Sequence, residues 1–177
     1  MHLRLCTLLI TCVIFVSLAG CKRDEAREEG RANAANVGRD LHLPPAKNLT
    51  PADIAKLKWI EGTWRGMDGE TPFYERYKIE ENAMVVETLK EDGSVDGEPD
   101  RFELKNGEFG KGEGDKRSAA TEITDTSVQF VPAVPGKGNS FRFVKQPHGW
   151  DAILEWQAAD KTAKSKTYKM EPWSPKQ

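Results

Sequence analysis

From Gly62 onward the side chains alternate. Phe73, Tyr77 and Ile79 share one parity, and Tyr74, Arg76 and Lys78 the other; Met84, Val86 and Thr88 alternate likewise with Val85, Glu87 and Leu89. A period of two marks a strand with one buried face and is incompatible with a helix, whose apolar positions recur every 3.6 residues. Further runs of this kind cover 101–104, 122–123, 128–131, 141–145, 150–156 and 167–170. Between the runs stand Asp92-Gly93, Asn106-Gly107, Asp125-Thr126, Pro135-Gly136 and Pro147-His148-Gly149. Asn-Gly and Asp-Gly between apolar runs are the strongest short hairpin signals. The expected fold is all-β, an antiparallel meander of about eight to ten strands. An open sheet of that size leaves two unpaired edges, and closure into a barrel removes them. Residues 49–177 have the length of one domain.

One helix precedes the strands. Thr50 suits an N-cap, Pro51 the first helical position, and Asp53 the positive end of a short helix. Ile54, Leu57 and Ile60 form its apolar stripe, and Gly62 can end it.

The segment before the domain reads differently. His2 and Arg4 open the chain, and an apolar stretch runs from Leu5 to Val16. This is too short to span a bilayer and is followed by small residues, as in a secretion signal covering residues 1–20. Residues 21–48 are rich in Arg, Glu, Ala, Gly and Asn and end near Pro44-Pro45. Such a stretch buries too little surface to offset its ordering entropy and reads as a flexible tether spanning roughly 30 Å. A polar helix over 24–36 is the competing reading. Lys and Arg number 26 against 28 Asp and Glu, with no basic block, so nucleic acid is not an expected partner. There are three cysteines, Cys6, Cys12 and Cys21. If the first two leave with the signal, the mature chain has no disulfide, and its stability comes from its core.

Leu18-Ala19-Gly20-Cys21 resembles the lipobox of bacterial lipoproteins. That resemblance implies cleavage before Cys21, lipid on its sulfur and attachment to a membrane. Lys22, where an inner-membrane lipoprotein carries Asp, implies by the same resemblance the periplasmic face of the outer membrane.

Leu57-Lys58-Trp59-Ile60-Glu61-Gly62-Thr63-Trp64-Arg65-Gly66 resembles the opening of lipocalin-like, calycin-type barrels, in which a short helix leads into Gly-x-Trp on the first strand. Gly62 lets the chain turn from helix to strand, and the Trp64 ring can cap the closed end of a barrel. Gly62-Thr63-Trp64-Arg65-Gly66 with Pro72-Phe73-Tyr74-Glu75 is also similar to nitrobindin, a haem-binding barrel family. The greater similarity is to a lipocalin-like domain of unknown function in bacterial lipoproteins, spanning residues 57–171. The Pro-x-His hairpin of that group is matched only loosely by Gln146-Pro147-His148-Gly149-Trp150. The resemblance implies a fold rather than a function.

Candidate chemistry is sparse. His148 is the one histidine of the domain, and it falls in an expected turn, whereas a haem ligand needs an inward imidazole. The last run, Ser165-Lys166-Thr167-Tyr168-Lys169-Met170, offers only Tyr168 or Met170. Asp92, Ser94, Asp96, Gly97 and Glu103 have the spacing of a calcium loop, but the flanks alternate like strands and Pro99 interrupts it, so an acidic hairpin is the preferred reading. A Ser-His-Asp triad would have to use His148 with Ser140 and Asp151, which are near it only in sequence; Glu80-Glu81 reads as a solvated turn. No enzyme, cofactor or metal is expected. The aromatics suggest a binding barrel. Trp150 and Trp156 share parity with Ala152 and Leu154, facing one side. The expected lining or mouth comprises Trp64, Tyr77, His148, Trp150, Trp156 and Tyr168. The function read from the sequence is an envelope lipoprotein that binds a small apolar or amphipathic molecule. The alternatives are a structural or regulatory envelope protein with a filled barrel, and a haem-binding nitrobindin-like protein.

Overall fold

A computed structural model of the chain describes residues 45–134 and 137–175. The signal expected at 1–20, Cys21, and most of the tether lie outside the described residues.

Thr50 precedes a single helical turn, α1 (Pro51–Ala55), which tightens into a 3-10 segment at Lys56–Ile60. The Asp53 carboxylate accepts hydrogen bonds from the Thr50 backbone N–H and hydroxyl, both at 2.9 Å. Lys56 Nζ donates to the same group at 2.8 Å. These contacts, led by Lys56, hold the Asp53 pKa down to about 2. Ile54, Leu57 and Ile60 are fully buried, as the stripe requires.

Ten strands follow: β1 (Gly62–Asp68), β2 (Thr71–Glu80), β3 (Ala83–Leu89), β4 (Asp100–Lys105), β5 (Glu108–Lys111), β6 (Ser118–Ile123), β7 (Ser127–Pro132), β8 (Ser140–Gln146), β9 (Gly149–Gln157) and β10 (Ala163–Pro172). Each pairs antiparallel with its sequence neighbours, and β1 pairs with β10, so the meander is a closed barrel. Trp64 opposes Pro172 and Arg65 opposes Glu171 across this seam. Arg65 donates to Glu171 at 2.9 Å, the Trp173 N–H donates to the Thr63 carbonyl at 2.9 Å, and the Trp173 ring lies 4.2 Å from that of Tyr74. The all-β meander and its closure agree with the sequence reading. The strand outside the alternating runs is β5, whose four residues, Glu-Phe-Gly-Lys, show too little alternation to register.

The antiparallel register gives the barrel two different ends. The connections at 81–82, 106–107, 124–126 and 147–148 lie at one end with the helical segment. Those at 69–70, 90–99, 112–117 and 158–162, with residues 133–134 and 137–139 between β7 and β8, lie at the other. The helical end is plugged. Ile54, Leu57, Ile60, Trp64, Met84, Phe109, Val128, Phe130 and Trp150 form one buried cluster there.

The chain also arrives at the plugged end. β5 and β6 pair only through Gly110–Ala119 and Lys111–Ser118. Beside that short ladder the Ala46 N–H donates to the Ala120 carbonyl at 2.8 Å, and the Leu49 N–H to the Gly107 carbonyl at 2.9 Å. The domain therefore takes hold of the chain at Ala46, slightly ahead of the tether boundary expected at residue 48.

Candidate functional site: a half-filled barrel interior

Trp64 fixes how far up the barrel the filling reaches. Gly62, at φ +128°, turns the chain from the helical segment into β1 and so aims Trp64 inward. The indole N–H donates to the Ile60 carbonyl at 2.8 Å, and the ring meets Trp150 edge-on at 6.1 Å. Trp150 in turn contacts Tyr77 at 5.2 Å and Phe143 at 4.9 Å. These rings make a floor across the barrel.

Above the floor the interior is open, with a cavity of about 570 Å³. Its walls are Phe73, Val86, Phe102, Phe141, Phe143, Ala152, Leu154, Tyr168 and Met170, with Tyr77 at the bottom and Asp68, Thr71, Asp100 and Lys111 at the rim. Aromatic contacts hold the wall together: Phe130 stacks on Phe141 at 4.8 Å, and Phe73 meets Tyr168 edge-on at 5.5 Å. Gly66 makes room for Phe73. A Cβ there would stand 2.2 Å from the Phe73 ring and 2.8 Å from the Met170 sulfur, so the cross-strand ring covers the bare backbone.

One carboxylate sits among these apolar walls. Glu75 projects inward from β2 between Phe73 and Tyr77, and the Tyr77 hydroxyl donates to its Oε2 at 2.8 Å. Desolvation pushes the Glu75 carboxyl above its usual pKa, against the pull of the Tyr77 hydrogen bond. Burial, and then the neighbouring Glu75 charge, push the Tyr77 phenol well above its usual value. At the rim Lys111 donates to Asp100 at 2.5 Å and lies 5.2 Å from the centre of the Phe102 ring. Lys166 donates to Asp68 while lying 4.9 Å from the centre of the Tyr168 ring.

Of the six lining residues expected from sequence, only Tyr77 and Tyr168 face this cavity. Trp64 and Trp150 lie beneath it and fill the core, with exposures of 9% and 1%. Trp156 is half-buried, opposite Lys164 near the far end of β9, and does not line the cavity. His148 is exposed in the β8–β9 turn at the plugged end, beside a separate shallow depression bordered by Gln146 and Glu171. The residues missed were Phe73, Glu75, Phe102, Phe141 and Phe143. The available signal was the parity of Glu75, which matches its apolar neighbours Phe73 and Tyr77.

The other candidate clusters come apart in three dimensions. Ser140 and His148 stand at opposite ends of β8, about 25 Å apart at strand spacing. Asp151 accepts a hydrogen bond from Gln146 instead, at 2.7 Å. Asp92 accepts from the Ser94 N–H and hydroxyl within its own turn. Glu103, the last position of the calcium spacing, pairs on β4 with Lys105 and Arg101. No group of three or more His, Cys, Asp or Glu side chains placed to hold a metal occurs among the described residues. No described helix is long and apolar enough to cross a membrane.

Fold and site together define a closed ten-stranded meander with one plugged end and one open apolar cup. Compared with known proteins, the chain matches no family model, no curated protein and no solved structure.

Proposed function

We propose that this chain is a cell-envelope lipoprotein whose barrel takes up a small apolar or amphipathic molecule through its open end. The observation that carries the reading is the cavity of about 570 Å³ between Phe73, Phe102, Phe141, Leu154 and Tyr168. Small-molecule sites are concave, mostly apolar and roughly 300–1,000 Å³ in volume. The alternative, a barrel acting through its outer surface, supposes an interior filled by side chains, as small barrels can be. Here the filling stops at the Trp64–Trp150–Tyr77 floor. Of the candidate haem ligands, His148 lies outside the cavity, whereas Tyr168 and Met170 are packed into its apolar wall.

The envelope half of the proposal rests on Leu18-Ala19-Gly20-Cys21, which lies outside the described residues. A lipid on Cys21 would contribute about 0.8 kcal/mol for each buried methylene, so several acyl chains hold a protein firmly. The Cys21→Ser chain is accordingly expected in the soluble fraction. Retention on membranes after a high-salt wash would show that lipid on this residue is not the anchor.

The ligand half is tested by native mass spectrometry of the chain taken from its own envelope, with decanol titrated by calorimetry as an independent probe. An added small-molecule mass, or saturable decanol uptake, is the expected result. A bare mass together with no decanol uptake sinks the reading.

A further inference from the structure

The charges around the cavity do not balance. Three carboxylates face it or its rim, Asp68, Glu75 and Asp100, and two lysines answer them. Lys166 is taken by Asp68 and Lys111 by Asp100, and each ammonium also rests against an aromatic ring. Glu75 is left over. Its Oε2 accepts from Tyr77, and its Oε1 has no donor among the described residues. Resting on the proposed binding role of the cavity, we infer that the preferred ligand pairs an apolar body with a protonated nitrogen, and that Glu75 is its counter-charge.

Position and energetics support this assignment. Glu75 lies four residues along β2 from Thr71 at the rim, about 13 Å along the strand at strand spacing. A carboxylate held there is costly unless it is paired and hydrogen-bonded. An open cup lets solvent reach down from the rim and would relieve part of that cost. An apolar ligand that shuts solvent out would restore the full cost unless it brings a positive charge. The rim does not relieve it, because Lys111 and Lys166 are already paired with Asp100 and Asp68. A neutral alcohol would offer Oε1 one hydrogen bond but no charge. An anionic amphiphile would find no uncommitted cation among the lining residues and would be repelled by Glu75.

The test compares three amphiphiles with the same decyl chain: decylamine, decanol and decanoate. Each is titrated into the full chain by calorimetry at neutral pH, below its micelle concentration. Decylamine should bind at least about tenfold more tightly than decanol, and decanoate most weakly of the three. In Glu75→Gln, which keeps the shape of the side chain, the amine preference should vanish while decanol affinity holds or rises. The wild-type ranking alone is decisive if the variant folds poorly. Equal binding of decylamine and decanol, tighter binding of decanoate, or an amine preference that survives in Glu75→Gln would overturn the inference and leave the apolar-ligand reading standing. Failure of all three to bind would overturn both.

Discussion

At the scale of single residues, one side chain ties the helical segment to the barrel and another holds that segment together. Trp64 is both plug and hydrogen-bond donor, and its loss empties a buried aromatic site. Trp64→Ala should destabilise the protein by about 3–5 kcal/mol, measured by urea unfolding; an unchanged midpoint would mean the ring contributes nothing to closing the barrel. Asp53 acts through charge. Its pKa is lowered in the folded state to about 2 from 3.8. Its contribution is therefore complete above about pH 4 and fades as pH falls through 2. Asp53→Asn should melt below the wild type at pH 6, and the two curves should converge toward pH 2. A constant gap down to pH 2 would show that the carboxylate charge is not what matters. Both residues stand out in the sequence because their partners lie within four positions, so local spacing alone places them.

At the scale of elements, legibility follows length and register. The long alternating runs and their Asn-Gly or Asp-Gly turns were readable because each strand carries its own period. Glu108–Lys111 was not, since its pairing is set by β4 and β6 rather than by its own four residues. The site was only partly readable for a related reason. Parity tells which face a side chain takes, but not how high it sits along the barrel axis, which depends on the accumulated stagger of all the strands. Hence Trp150 proved to be floor and Trp156 to lie off the cavity, while Phe141 and Phe143 form the wall. The Gly66–Phe73 contact between β1 and β2 offers a test at this level. Gly66→Ala should push the Phe73 ring off β1, destabilising the barrel by about 1–3 kcal/mol. Adding Phe73→Leu should recover part of that loss in the same urea experiment. Full additivity of the two changes would mean that ring and glycine do not touch.

At the scale of the whole molecule, the interior is divided between stability and capacity. The plugged half supplies the packed core, and the open half gives up packing to keep its volume. Filling the open half should therefore trade one for the other. Ala152→Leu adds bulk to the cavity wall between Phe143 and Tyr168. It should leave the protein as stable as before, or more stable by about 0.5–2 kcal/mol, while weakening decanol binding. A clear loss of stability would show that Ala152 is already tightly packed and that the cavity is smaller than its outline.

The arrival of the chain at the plugged end, with Ala46 and Leu49 bonded there and the rim at the opposite pole, gives the molecule a polarity of traffic. Residues 46–49 are fastened beside the base of the cup, away from its rim. On the proposed binding role, a ligand would pass at the far side, between the cup and whatever faces its rim. A delivering or receiving protein would meet the five rim connections rather than the surface to which the cup is fastened. The same polarity serves the laboratory: a chip that captures the chain through the exposed Lys47 holds it by the base, so binding rates recorded there should match those in free solution.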